Sequence, residues 1–502
     1  MRRVPHQRTI AARIRWCVAV AVMASGVAGT RLAAETPERP PNVVLIFTDD
    51  QGYGDVGCFG ATRFRTPHLD QLAQQGTRFT DFYVAQAVCT ASRAALMTGC
   101  YANRVSLSGA LNHTSRVGIH PDERLIPELL HDRGYATAIF GKWHLGTLPE
   151  FNPVRHGFDE YLGIPYSNDN SKYHPVVKDM PPLPLYDGEK VAESDLDQSQ
   201  FTRRFTERAV KFIERHRNQP FFLYVPHVMP HVPIFASDAF RGRSPSGLYG
   251  DVIEEIDWSI GQIVSAIHAC GLDDNTLIIF ASDNGPFLSY GEHAGSAGKL
   301  REGKLTTFEG GVRVPCIMRW TGHVPAGRVC AEPCMSIDLL PTFARLAGAD
   351  LPDTRLDGRD ILPVIRGEAG AKSPHEALFF YEGTALQAVR SGTWKLHFPH
   401  EYLTVDGPPG RGGKPANFGN LQPKSIQQSG IRGIASRHGY AVQSLELSLF
   451  DLSVDPGETR NLAAEHPDVV KRLSTMAAEI RRELGDDLTG LAGSQVRPAG
   501  GG

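Results

Sequence analysis

Two apolar runs that end in carboxylates limit the folds open to this chain. Residues 42–47 (NVVLIF) are continuously apolar, rich in β-branched side chains, and bounded by Pro41 and Asp49. A strand without polar alternation has to be covered on both faces, which is the situation of a parallel sheet with helices on either side. Residues 276–281 (TLIIFA) repeat the pattern and lead into Asp283, Asn284 and Gly285. Residues 135–140 and 221–225 read as further short strands, and helical patterns lie between them at 69–75, 124–133, 202–217 and 250–270. Strands alternating with helices predict an α/β fold with a mostly parallel sheet flanked by helices.

The rest of the chain is less regular. Glycine, proline and aspartate crowd residues 163–198, which predicts a surface excursion with little regular structure, of the kind that shapes a site. Beyond residue 373 the pattern shifts to short strands at 377–381, 387–391, 394–398 and 448–451, with a helix at 467–484. This predicts a smaller C-terminal antiparallel-sheet domain, spanning 373–490 and closed by a helix. The glycine-rich ending after Ala499 is expected to fray.

The N-terminus reads as an export signal over residues 1–34. Arg2, Arg3, Arg8, Arg13 and Arg15 precede an apolar run at 16–28 that is too short to span a bilayer. The alternative is a buried N-terminal helix. Export implies a periplasmic, extracellular or lysosome-like compartment, and no other segment reads as an integral membrane span. Of eight cysteines, Cys17 falls in the signal. The remaining odd number leaves at least one thiol unpaired or modified, among buried thiols and at most a disulfide. The net charge of −3 lacks the basic surplus a general nucleic-acid binder needs.

Chemistry concentrates at strand ends. Asp49 and Asp50 follow the first apolar run, where ligands bind in open α/β sheets. Adjacent carboxylates repel unless something positive holds them, and a hard cation suits their oxygens. The bland alternative is a loop pair, one capping a helix and one solvated. Asp283 and Asn284 end the second run and supply another carboxylate and an amide oxygen that could converge on the first pair. Oxygen-only protein ligands favour Ca²⁺, with Mg²⁺ as the alternative. His227 and His231 are four apart, but Pro226, Pro230 and Pro233 forbid the helix that a zinc pair would use. His227 is expected beside the site or packed, and His293 is a further pocket candidate.

Cys89-Thr90-Ala91-Ser92-Arg93, continued by Leu96, Thr98 and Gly99, resembles the signature of the type I formylglycine-dependent sulfatases. Ala91 fills a position that many members give to proline. Further blocks follow in the family's order: Thr48-Asp49-Asp50, the run from Gly141 through Lys142 and His144 to Gly146, His231-Val232-Pro233, Ser282 to Gly285, and Lys304 with Glu309 to Arg313. The arylsulfatase A and galactosamine sulfatase branches are nearest, including Gly163 to Ser167. The resemblance implies an alkaline phosphatase-like fold, a catalytic domain at 41–372, and hydrolysis of sulfate esters of a small molecule or glycan.

It also implies roles. Cys89 would be oxidised to formylglycine by a maturating enzyme; its hydrate offers one hydroxyl to attack sulfur and another to expel sulfate. Asp49, Asp50, Asp283, Asn284 and residue 89 would bind the metal. Arg93 and Lys142 would hold the hydrate, His144 would take its proton, and His231 and Lys304 would bind sulfate and assist the leaving oxygen. Two alternatives stay open: a phosphodiesterase or phosphonate hydrolase of the same superfamily, and a non-catalytic sulfated-glycan-binding protein with Cys89 unmodified.

Overall fold

The computed structural model describes residues 39–421 and 430–501, and the export signal expected at 1–34 lies outside the described residues. The first apolar run forms β1 (Asn42–Thr48), which is buried along its whole length. It sits inside an eleven-stranded sheet with β2 (Thr77–Tyr83), β3 (Ala136–Lys142), β4 (Glu160–Ile164), β5 (Pro184–Asp187), β6 (Lys190–Ser194), β7 (Phe221–Pro226), β8 (Thr276–Ser282), β9 (Arg313–Arg319), β10 (Arg328–Cys330) and β11 (Cys334–Met335). The order is β10-β2-β9-β8-β1-β7-β3-β4-β5-β6, with β11 also on β2. The central strands β8, β1, β7, β3 and β4 are mutually parallel.

The period of two in β1 sorts its side chains into two cores. Val44 and Ile46 pack with Leu69 of α1 (Pro67–Gln75), Phe205 of α4 and Ile256 of α5. Val43, Leu45 and Phe47 face the other layer, with Leu96 of α2 (Cys89–Thr98), Leu129 of α3 (Ile126–His131) and Phe343 of α7. These flanking helices are α4 (Phe201–His216), α5 (Gly247–Ala269) and α7 (Leu339–Ala347), with short turns α6 (Glu309–Val312) and α8 (Leu362–Ile365). Helix α4 buries Phe201, Phe205, Ala209 and Phe212, spaced for one face of a helix, and ends in Arg215 and His216, which suit its negative end.

The C-terminal part forms a second, antiparallel sheet, β12 (Leu378–Glu382), β13 (Ala385–Ser391), β14 (Trp394–His397) and, beyond them in sequence, β17 (Ser448–Asp451). A ribbon of β15 (His400–Thr404) and β16 (Ala441–Leu445) stands beside helix α9 (Gly430–His438), and helix α10 (Pro467–Leu484) closes the sheet. Phe380, Leu396 and Leu449 share a core with Leu473 of α10 and with Tyr83, Ala95 and Val312 of the first domain. Full burial of each large apolar side chain is worth about 1.5–3 kcal/mol, so the small sheet is fastened to the large one.

Two expectations are corrected. Residues 163–198 are not merely irregular, because β5 and β6 pair as a hairpin that extends the sheet edge. The chain after Ala499 is tied down: Gly500 exchanges backbone hydrogen bonds with Gly118 at 2.8 and 3.0 Å. No disulfide forms among the described residues; Cys58, Cys89, Cys100, Cys270, Cys316, Cys330 and Cys334 are all free thiols. No helix among the described residues is long and apolar enough to cross a membrane.

Candidate active site

The five parallel strands deliver the predicted residues to one place. Asp49 and Asp50 follow β1, Lys142 ends β3, Ser167 lies just past β4, His231 follows β7, and Asp283 and Asn284 follow β8. All are buried, because the carboxyl edge of the sheet is roofed by the loops that carry them. Cys89 is the first residue of α2 and only 2% exposed, so the positive end of a helix dipole points at the same spot.

The carboxylates and cations interlock. Lys142 Nζ donates to Asp49 Oδ2 at 2.5 Å. Arg93 donates from Nε and Nη2 to Asp283 Oδ2 at 3.1 and 2.8 Å, and from Nη1 to the Lys142 carbonyl at 3.1 Å. Lys304 Nζ donates to Asp50 Oδ1 at 2.7 Å and lies 3.3 Å from Cys89 Sγ. Asp50, at a φ of 64°, donates its backbone N–H to Asp283 Oδ1 at 3.1 Å, which joins the ends of β1 and β8.

The shifts of titration follow this packing. Burial would raise Asp49, but Lys142, His231, Arg93 and Lys304 hold it well below the usual carboxylate range. Burial, reinforced by Asp49, pushes Asp283 up to about 7 against the pull of Arg93. Burial and Asp49 also push the Cys89 thiol up to about 12, so the unmodified thiol is a poor nucleophile. Burial opposes the charges of Lys142 and Lys304, but Asp49 and Asp50 respectively more than restore them.

Several acceptors are left over. Asp50 Oδ2 and Asn284 Oδ1 are buried and accept no hydrogen bond among the described residues, although Asn284 Nδ2 donates to Asp50 Oδ1 at 2.7 Å. Such orphaned buried oxygens cost free energy unless something positive meets them. Ligand atoms of Asp49, Asp50, Cys89 and His231 lie within 4.8 Å of one another. This cluster, with Asn284 alongside, could hold a metal ion, and its oxygen donors fit a hard divalent cation.

Both histidines have one nitrogen committed. His144, at a φ of 63°, points Nε2 to the Leu111 carbonyl at 2.7 Å, which requires the proton on Nε2. Its Nδ1 is buried without a partner among the described residues, and burial beside Lys142 lowers its pKa well below the ordinary value. It therefore presents a bare lone pair. His231 commits Nδ1 to the Val232 carbonyl at 2.6 Å and turns Nε2 toward Asp50 Oδ2 at 3.7 Å. Burial and Lys304 lower its pKa.

The structure brings together every predicted site residue, with three additions and refinements. Ser167 Oγ lies 3.3 Å from His231 Nε2 and lines the cavity, yet the sequence reading used it only as part of a resembling block. Its position past a parallel strand was the available signal. His227 is a packed histidine, 3.2 Å from Ser259 Oγ, and His293 is not among the residues lining the cavity. That cavity, about 720 Å³, opens from Cys89 between the loops of the large sheet and the β12–β13 turn, and also takes in Asp169, Glu382 and His438.

Comparison with known proteins agrees with this geometry. A family profile described as Sulfatase matches residues 41–349, and one described as C-terminal region of aryl-sulfatase matches residues 373–498. The chain is 40% identical to arylsulfatase A of Bos taurus over 88% of each chain. It is 38% identical to N-acetylgalactosamine-6-sulfatase of Sus scrofa, over 78% of this chain and 76% of that one. The crystal structure of the PsFucS1 sulfatase from Pseudoalteromonas sp. superposes with a TM-score of 0.75 at 28% identity, covering 88% of this chain and 90% of that one.

Proposed function

This chain belongs to the sulfatase family and is a sulfuric ester hydrolase with an alkaline phosphatase-like fold, and from that premise we propose that it removes sulfate from a sulfated carbohydrate by way of formylglycine at position 89. The observation that carries the reading is the setting of Cys89: a buried helix-start residue ringed by Arg93, Lys142 and Lys304, with three carboxylates and an unsatisfied amide oxygen beside it. A plain thiol pushed up to about 12 has no use there. An oxidised, hydrated residue does, and it needs the cations to hold its charge.

Asp49, Asp50, Asp283, Asn284 and residue 89 would hold the metal, a hard cation suited to oxygen donors, Ca²⁺ or alternatively Mg²⁺. When bound, the metal supplies positive charge that polarises the sulfate oxygens. Lys142 and Arg93 orient residue 89 through Asp49, Asp283 and the Lys142 carbonyl. His144 Nδ1 is the acceptor for a proton leaving residue 89. Lys304 and Ser167 bind the sulfate, and His231, as the imidazolium with Nδ1–H on the Val232 carbonyl, gives from Nε2 the proton that the departing sugar oxygen needs. A sugar alkoxide is strongly basic, so this acid matters more for a carbohydrate than for an aryl ester. The sugar preference also draws on the N-acetylgalactosamine-6-sulfatase relative.

The test is a paired assay on protein co-produced with a formylglycine-generating enzyme. A sulfate ester should be turned over far faster than its phosphate analogue, and mass spectrometry should find Cys89 converted. Cys89→Ala should cut kcat/KM by at least about a thousandfold. Equal turnover of phosphate would favour the phosphodiesterase or phosphonate hydrolase reading. An active protein whose Cys89 peptide is wholly unmodified would sink the formylglycine assignment.

A further inference from the structure

One wall of the cavity is supplied by the C-terminal sheet and takes no part in the chemistry above. It is the turn between β12 and β13. The Gly383 carbonyl accepts from Gln86 Nε2 at 3.0 Å and Asn103 Nδ2 at 2.9 Å, which ties the turn to the segment just before Cys89. Leu386 donates its N–H to Asp486 Oδ1 at 2.9 Å on the other side. Between Phe380 and Tyr381 the pairing with β13 slips by one residue, a bulge that re-aims the side chains after it. The first residue past the slip that lines the cavity is Glu382.

The Glu382 carboxyl makes no hydrogen bond or ion pair among the described residues. Glu382 is half-buried, and partial loss of solvent pushes its carboxyl up to about 7 with no cation acting on it. The cavity's cations are Lys304, engaged by Asp50, and Arg437, which lies near Asp169. Its further carboxylates are Glu401, paired with Arg432, and Asp487, which accepts from the Thr384 hydroxyl. Beyond the sulfate niche the described lining carries Asp169, Glu382, Glu401 and Asp487 against Arg437.

Resting on the sulfatase reading, we propose that Glu382 is a specificity-determining residue for the ring that bears the sulfate: it selects a ring whose neighbouring groups donate hydrogen bonds, and rejects one that carries a second anion. Above about pH 7 Glu382 is a carboxylate, which accepts from a hydroxyl or an ammonium. A second sulfate or a uronic carboxylate would instead be desolvated against a carboxylate that no cation neutralises. Repulsion of this kind is how sites exclude near-identical partners. The double anchoring of the turn keeps Glu382 from swinging aside.

The experiment compares kcat/KM of the matured protein on a matched series: a monosulfated neutral sugar, its free-amine counterpart, and a counterpart with a second sulfate. Wild type should favour the first two over the third by about tenfold or more. Glu382→Gln should shrink that ratio about fivefold, and Glu382→Lys should invert it. A gain of the amine over the neutral sugar that disappears in Glu382→Gln identifies an ammonium donor; its absence identifies a hydroxyl. Folding of each variant is read from turnover of nitrophenyl sulfate. If neither variant folds, the wild-type ratio decides, and a ratio at or below one overturns the proposal. A ratio that both folded variants leave unmoved overturns it too. Failure to turn over any sulfate ester, with Cys89 converted, would instead defeat the sulfatase reading itself.

Discussion

His231 and Asp283 show how much one side chain carries here. Because His231 Nδ1–H is held by the Val232 carbonyl, Nε2 gives a proton only from the imidazolium, and loss of the side chain removes that acid together with its charge. His231→Ala should lower kcat/KM for a carbohydrate sulfate by about 10²–10⁴-fold and for nitrophenyl sulfate much less. Steady-state rates on both substrates check this, and equal losses would mean that His231 binds sulfate without acting as the acid. Asp283 accepts two hydrogen bonds from Arg93 and one from the Asp50 backbone. Asp283→Ala should therefore abolish turnover and leave the buried Arg93 guanidinium with only Asp49 and the Lys142 carbonyl, at a cost of about 3–5 kcal/mol in stability. Thermal unfolding should show a lowered Tm, with Asp283→Asn losing less. At this scale the position of the site was legible in sequence, since the strand-end residues singled out there, Asp49, Asp50, Asp283 and Asn284, meet beside Cys89. Ser167 was not, because one serine among many carries no pattern until the fold places it beside His231.

Among the elements, the buried strands and long helices were readable from periodicity. The reading placed strands at 42–47 and 276–281 where β1 and β8 run, and a helix at 467–484 where α10 runs. It missed β2, β4 and β9, whose sequences mix charge with apolar residues, and the β5–β6 hairpin, whose residues look like loop. Non-local pairing decides such strands, and no local window reports it. Close approach between elements is equally silent. A Cβ on Gly285 would lie 1.7 Å from the Gly310 carbonyl oxygen, so the loop after β8 and the start of α6 meet backbone to backbone. Gly285→Ala should push Asn284 and the Lys304 loop apart. The expected loss is about 1–3 kcal/mol of stability, with kcat/KM falling more steeply than Tm suggests. A variant of unchanged activity would show that the two loops are not held in mutual register.

In the whole molecule, two sheets are joined by a buried ionic network. Glu309 takes hydrogen bonds from Lys395 at 2.8 Å, Tyr83 at 2.7 Å and Arg313 at 3.2 Å, while Glu458 takes them from His397 at 2.8 Å and the Glu309 backbone at 2.6 Å. Burial would raise Glu309, but Lys395, Arg313 and Arg390 bring it from 4.5 down to about 2. The folded state thus favours its ionised form. The stability it contributes is present above pH 4.5 and is lost as pH falls through about 2. The Tm gap between wild type and Glu309→Gln should be wide at neutral pH and close toward pH 2. A gap that stays constant would refute the linkage. The burial of α2 has a consequence of a different kind, in chronology. Every residue from Cys89 to Thr98 is buried, so no modifying enzyme can grip that stretch in the finished protein. On the proposed formylglycine reading, oxidation of Cys89 has to come before folding. Chain made without its partner and allowed to fold is locked in the thiol state, and adding the enzyme afterwards should convert nothing until the protein is unfolded.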